Sequence, residues 1–391
     1  MTAKQHPRGW RGCARLGVFF AGLALSGCLG RLTAADRELR RREADSQSRW
    51  LIVRSAETAA VRVALPNPRV VTIGRIAGSN PPTLGEAGLR LVWPGSELRA
   101  QFLGDSLTLD LRTRGEVHCD VFIDETPVLL SPRRDVMARY RLPGLASGPH
   151  RLRLQKRTEA AAGVVEVLAL EFPPGGGLLP APDLPPRRLE FIGDSMTVGA
   201  CVLDDGREEW TARQTHCHRL SYAARVASEL GAQHQAIAVS GLGISRSQVP
   251  LRAQEIFDRS EPAHDSPEQP VGSDKPAAVV ILLGHNDVLS TDRTGQPFPP
   301  QFAADYVRLV RAVRRRYPGS LIVCLTGGMY GSRASRPLRR AFAAALQELQ
   351  STDPRVVGHH LAAWSFLHPR AHTQAAMARE VVSVLRRHLG W

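Results

Sequence analysis

Two segments of the chain carry the tripeptide Gly-Asp-Ser: "FLGDSLTLDL", residues 102–111, and "FIGDSMTVGA", residues 191–200. A serine hydroxyl stays protonated at neutral pH, so it becomes a nucleophile only beside a base. It also needs donors aimed at the oxyanion that develops during acyl transfer. Ser106 is followed by strict alternation, Leu107-Thr108-Leu109-Asp110-Leu111, and preceded by extended sequence. It reads as a residue of a hairpin turn. Ser195 follows "RLEFI", a near-continuous apolar run that reads as a strand buried on both faces. Its hydroxyl would then lie at a strand's carboxyl end. Gly193 permits a tight exit from that strand, and Asp194 can tie the loop. Downstream, "AVSGLGIS" offers the backbone N–H of Gly241 or Gly243, and "LLGHND" the side-chain amide of Asn286. "FLHPRAHTQAAMA" offers His368, a suitable general base, just before a final helix. Each residue alone is a weak signal. In this order, at successive strand ends, they form a site for acyl transfer through Ser195.

The elements that would position them follow from hydrophobic texture. From Arg188 onward, "RLEFI", "HQAIAV", "AAVVILL" and "SLIVCLT" are short apolar runs. They alternate with helical segments "RLSYAARVASEL", "FAADYVRLVRAVRRRY" and "RPLRRAFAAALQELQ", and "HTQAAMAREVVSVLRRHL" closes the chain. This alternation predicts an α/β domain with a doubly wound parallel sheet, whose ligand site lies beyond the carboxyl ends of the strands. Residues 61–172 instead show alternating runs such as "VEVLALEF" between Gly, Pro, Asn and Asp clusters, the texture of a β-sandwich. Between the two lies "EFPPGGGLLPAPDLPPRR", rich in Pro and Gly. The expected division is therefore a sandwich over 61–172, a linker over 173–187 and an α/β domain over 188–391.

The first residues read as a targeting segment. His6, Arg8, Arg11 and Arg15 precede "LGVFFAGLAL", which is too short to span a bilayer stably. "LSGC", ending at Cys28, resembles the bacterial lipobox, against the plainer alternative of an ordinary secretory signal. The expectation is a signal over 1–27, acylation of Cys28, a charged tether over 28–60 and a membrane partner reached through the lipid anchor. Leu29, not Asp, leans toward the outer membrane of the cell envelope. The net charge of +14 comes from scattered arginines without interleaved aromatics, so it reads as solvated helix faces with no nucleic-acid partner. In an exported chain, Cys201 and Cys217 bracket one Gly/Asp/Glu-rich loop and could pair as a disulfide. "HCH", residues 216–218, lacks the spacing of a zinc site, and no metal is expected.

Ser195, Gly241 or Gly243, Asn286 and His368 match in order the four blocks of the SGNH (GDSL-type) hydrolases, which the chain resembles. "WPGSELRAQFLGDSLTLDL" and "GPHRLRLQKRTEAAAGVVEVLALEF" resemble the jelly-roll domain of the second family of carbohydrate esterases. "RRLEFIGDSMTVGA" and "HPRAHTQAAMA" resemble its catalytic domain. The resemblance implies a jelly-roll sandwich preceding an SGNH domain and deacetylation of acetylated glycans such as xylan or glucomannan, without cofactors. It implies Ser195 as nucleophile, His368 as base, and Asn286 with one of the glycines as oxyanion donors. The chain departs from the SGNH pattern in one respect. The common aspartate two or three residues before the histidine is absent; Phe366 and Ser365 stand there. That leaves a Ser-His dyad as the expectation, with a backbone carbonyl or Ser365 on Nδ1.

Among neighbouring residues, Asp287 is expected to hold its loop, His285 to pack at the strand end, and His372 to lie at the last helix's N-terminus. Trp364 could stack on a sugar ring or serve as core, and the β domain could bind polysaccharide or be a spacer. The resulting expectation is an exported, lipid-anchored carbohydrate O-acetyl esterase. The alternatives are another SGNH esterase acting on peptidoglycan acetyl groups or lipid esters, and a catalytically weak carbohydrate-binding lipoprotein.

Overall fold

The computed structural model describes residues 33–46, 49–54, 59–78, 87–272 and 275–391. The signal segment and Cys28 lie outside the described residues. Among the described residues no helix is long and apolar enough to cross a membrane.

The chain begins with helix α1 (Ala34–Ser46) and strands β1 (Leu51–Val53), β2 (Val61–Ala64), β3 (Val71–Ile73), β4 (Ile76–Gly78), β5 (Leu89–Leu91) and β6 (Glu97–Leu103). Strands β7 (Leu107–Gly115), β8 (Cys119–Ile123), β9 (Thr126–Leu130), β10 (Met137–Leu142), β11 (Pro149–Lys156), β12 (Gly163–Phe172) and β13 (Gly177–Leu178) follow. They form two antiparallel sheets, ordered β1-β10-β7-β12-β5-β4 with β2 on β12, and β13-β6-β11-β8-β9 with β3 on β6. Alternate side chains such as Leu109, Leu111, Val165 and Val167 from the first sheet meet Leu98, Phe102, Val121 and Leu152 from the second in one core. Period-2 alternation places every second residue on the inner face, and each fully buried aliphatic side chain contributes about 1.5–3 kcal/mol.

Two expectations are corrected here. The 28–60 tether is in part folded: Thr33 and Asp36 cap α1 reciprocally, Leu39 packs beside Val202, Leu203 and Leu220, and β1 closes a sheet edge. Gly104-Asp105-Ser106 is not a hairpin, because β6 and β7 belong to different sheets. The turn is a corner between sheets, and the Ser106 hydroxyl accepts a hydrogen bond from Arg141 (3.3 Å).

The second domain is a five-stranded parallel sheet ordered β15-β14-β16-β17-β18. Its strands are β14 (Arg187–Gly193), β15 (Ala232–Ala238), β16 (Ala278–Leu282), β17 (Leu321–Met329) and β18 (Val356–Ser365). Alternate residues serve opposite faces. Phe191, Val280 and Val323 pack on α3 (Tyr222–Glu229) and α9 (Ala371–Leu389), while Ile192, Ile281 and Ile322 pack on α6 (Phe302–Arg316) and α8 (Arg336–Gln350). β18 escaped detection in the sequence because "VVGHHLAAWS" alternates between buried and more exposed positions and forms no continuous apolar run. The first strand, β14, lies between the second and third, so the chain winds outward from it in both directions. Asp194 leaves β14, and Ser195 follows it at the topological switch point.

The two domains are joined by more than the linker. Trp93 is buried and donates Nε1–H to Ser260 O (2.7 Å). Arg75 is buried and donates to the carbonyls of Phe257 and Arg259 (both 2.6 Å), beside Glu190 of β14 (3.5 Å).

Candidate active site

Ser195 opens α2 (Ser195–Val198), a single turn whose preceding residue Asp194 accepts the Met196 N–H (3.0 Å). The exit from β14 is too close-packed for a side chain: a Cβ on Gly193 would sit 2.0 Å from Thr197 Oγ1. Burial pushes the Asp194 carboxyl up to about 7 against the opposing effects of the Met196 N–H and the His368 charge.

The loop after β15 and the helix after β16 interlock beside it. α5 (His285–Thr294) carries Asn286 and Asp287 in its first turn. Asn286 Nδ2 donates to Leu242 O (2.9 Å) and, over a longer 3.2 Å, to Asp194 Oδ2. Asp287 accepts the N–H groups of Ile244 (2.9 Å), Ser245 (2.7 Å) and Arg246 (2.8 Å), so it holds the loop as expected. Burial raises its carboxyl to about 6, opposed by those three donors. The two candidate glycines separate. The Gly243 N–H is engaged by Ser247 Oγ (2.8 Å). Gly241, whose φ of +86° suits glycine, accepts Gln248 N–H on its carbonyl, leaving its own N–H as the better oxyanion donor.

His368 lies between β18 and α9, and its charge is felt at Asp194 beside Ser195 and at His285 beside Asn286. Its Nδ1 is hydrogen-bonded to Glu208 Oε1, which also accepts the His368 backbone N–H (2.9 Å). The dyad expectation is therefore corrected: an acid is present, supplied from 160 residues upstream. Glu208 sits at φ +60°, a left-handed conformation that costs a non-glycine residue roughly 1–3 kcal/mol. Asp204 maintains it by accepting the N–H groups of Gly206 (2.7 Å), Glu208 (3.1 Å) and Glu209 (3.1 Å). Arg370, two residues after His368, donates to Asp204 (2.8 Å), to Glu208 Oε2 (3.1 Å) and to Cys201 O (3.0 Å). Burial alone would raise the Glu208 carboxyl, but His368 and Arg370 override it and hold it at about 2. A carboxylate on Nδ1 fixes the proton there and leaves Nε2 as the basic nitrogen. The only hint of this in the sequence was the acidic run "DDGREE" just after the Ser195 block.

Cys201 and Cys217 are both buried and are not bonded to each other, which corrects the disulfide. Their sulfurs have different neighbours: Cys217 Sγ lies 3.7 Å from Asp120, whereas Cys201 Sγ lies beside Glu208 and His368. Alkylation of denatured, unreduced protein should accordingly modify both cysteines, as read by peptide mass; an unreactive pair would restore the disulfide. His216 and His218 do not converge. His216 Nε2 bonds Trp210 O (2.9 Å), His218 Nε2 meets His234 Nε2 (3.1 Å), and burial depresses both rings, to about 4 and about 3. His372 is at the start of α9 and bonds Asp36 (3.0 Å). Trp364 is not core: it is 38% exposed, with Tyr330 and Phe366 stacked alongside it (ring centroids 4.4 Å apart) just before His368.

Residues 72–182 match the family model "Carbohydrate esterase 2 N-terminal", and residues 191–379 match the "GDSL-like Lipase/Acylhydrolase family". The chain is 32% identical over 270 residues to a cellulase/esterase, CelE, of Acetivibrio thermocellus; the match covers 67% of this chain and 31% of that protein, so it corresponds to about a third of the relative's length. It is 27% identical to an acetylxylan esterase / glucomannan deacetylase of Cellvibrio japonicus, covering 84% of this chain and 91% of the relative. Among solved structures, a family two carbohydrate esterase from Clostridium thermocellum in complex with cellohexaose superposes with a TM-score of 0.71 at 27% identity, covering 82% of this chain and 99% of that one.

Proposed function

Because the chain belongs to the GDSL-type hydrolases and carries the N-terminal domain of carbohydrate esterase family 2, we propose that it removes O-acetyl groups from polysaccharides or oligosaccharides through Ser195. The observation that carries this reading is the Glu208–His368 pair, set among the strand ends that hold Ser195 and Asn286. Its presence also removes the reason for reading the chain as a weak binder, which was the missing acid.

In the first half-reaction His368 Nε2 takes the proton of Ser195 as Oγ bonds to the acetyl carbon. The carbonyl oxygen becomes an oxyanion, met by the Gly241 N–H and by the Asn286 amide, whose long bond to Asp194 is the one most readily exchanged. Collapse breaks the ester C–O bond, and His368 returns the proton to the departing sugar oxygen. Water, deprotonated by His368, then attacks the acetyl carbon; the bond to Ser195 Oγ breaks, His368 returns the proton to Oγ, and acetate leaves. Glu208 remains ionised throughout and stabilises the imidazolium. The exposed Tyr330, Trp364 and Phe366 offer apolar ring faces for a sugar chain beside the base. Export and acylation at Cys28 complete the proposal, supported by the basic and apolar segments ahead of that cysteine.

Acetate release from acetylated xylan, glucomannan and peptidoglycan, beside long-chain lipid esters, tests the substrate class. Release from the plant-type glycans is expected. Turnover of lipid esters alone would overturn the carbohydrate reading.

A further inference from the structure

The segment Lys156-Arg157-Thr158-Glu159, where β11 leaves the sandwich, is entirely buried, each residue 1% exposed or less. Sequestering three ionisable side chains within four residues demands partners, some within the sandwich and some in the other domain. Arg157 donates to His216 O (2.9 Å) and to Asp120 (2.9 Å). Lys156 Nζ donates to the carbonyls of Thr158 (2.8 Å) and Glu159 (2.7 Å).

Glu159 is the informative member. One carboxylate oxygen pairs with Arg213, and the other accepts the backbone N–H of Ser240 (2.9 Å). Ser240 immediately precedes Gly241, the oxyanion donor. Arg213 belongs to the loop that carries Glu208: it donates to Trp210 O (3.4 Å) and lies over the Trp210 ring, while the Trp210 N–H donates to Glu208 O (2.9 Å). The glycine loop is therefore held at its far end by Asp287, from within its own domain, and at its near end by a carboxylate from the sandwich. The same carboxylate holds the loop that orients His368.

We propose that Glu159 is a positioning residue of the esterase site, and that through it the sandwich completes the catalytic arrangement by holding the glycine loop and the Glu208 loop together. This rests on the esterase reading above. Misplacing two loops by a fraction of an ångström affects the transition state more than ground-state binding.

The test is Glu159→Gln in the full chain. An amide cannot accept from both Ser240 N–H and Arg213, because its nitrogen must face one of these donors. We expect kcat on 4-nitrophenyl acetate to fall about 10- to 100-fold with KM little changed, in protein with wild-type near-ultraviolet circular dichroism. The downfield Nδ1–H proton resonance of His368, recorded on the same samples without substrate, should shift upfield as Glu208 loosens. If the amide variant fails to fold, Glu159→Asp keeps the charge but is one methylene too short to hold both loops, and is read by the same criteria. A wild-type kcat with an unmoved resonance, whatever the change in melting temperature, overturns the proposal. A wild-type chain that hydrolyses no ester would remove the esterase reading instead, and the His368 resonance would still decide the role of Glu159.

Discussion

Ser195→Ala is expected to lower kcat for ester hydrolysis by on the order of 10⁵- to 10⁶-fold, while Ser106→Ala leaves it near wild type. Both serines follow Gly-Asp, so the contrast isolates position from motif. Ser195 lies just beyond β14 at the switch point, beside Asn286 and the glycine loop. Ser106 turns a corner between the two sheets of the sandwich, its hydroxyl facing Arg141. Because Ser, His and carboxylate act as a unit, loss of the nucleophile forfeits what the other two contribute. Turnover by folded Ser195→Ala at more than a trace, or equal loss in both variants, would refute the assignment.

The second large effect is expected at Glu208. Its two oxygens face donors only: His368 N–H and Nδ1–H on one, Arg370 on the other. In Glu208→Gln the amide nitrogen must point either at Arg370, donor against donor, or at Nδ1, where it favours the tautomer protonated on Nε2 and abolishes the base. A fall in kcat of about 10³- to 10⁴-fold is expected, approaching that of His368→Ala. The variant should also show a changed acid response. Glu208 titrates at about 2 when folded, below its ordinary 4.5. A lowered carboxylate contributes stability that is complete above the unfolded value and is lost as pH falls from about 4.5 through about 2. Wild type should lose stability over that window, and Glu208→Gln should lose less of it, as read by urea unfolding at each pH. A Glu208→Gln enzyme with kcat within about tenfold of wild type would return the site to a dyad.

How much of this was legible in the sequence follows from the physics of each element. Strands β14, β16 and β17 are buried on both faces over most of their length, and β15 at its carboxyl half, so they read as apolar runs and betrayed the residues at their carboxyl ends. That is why Ser195, Asn286 and the glycine loop were found. β18 is exposed along one side and carries Gly358, His359 and His360, which dilute its pattern. Glu208 could not be found by spacing, because its partner is brought to it by tertiary folding and by Asp204 and Arg370, and no local period connects positions 208 and 368. The choice between Gly241 and Gly243 likewise depended on Ser247, whose hydroxyl engages one of the two amides. The cysteine pair misled for the opposite reason: closeness along the chain and a shared loop say nothing about which way two sulfurs point.

Arg75 and Trp93 have a consequence for heredity rather than chemistry. The Pro/Gly-rich stretch between the domains invites reading the chain as two exchangeable modules, cut and rejoined by recombination at that seam. Yet Arg75 is buried against the carbonyls of Phe257 and Arg259, and Trp93 against that of Ser260. A crossover in the seam that paired this sandwich with a foreign hydrolase would leave a buried guanidinium and an indole N–H without acceptors, each costing several kcal/mol or about 1–3 kcal/mol respectively. The boundary visible in composition is thus not a boundary in energy. The two halves are bound to be inherited together, and they should melt in a single calorimetric transition.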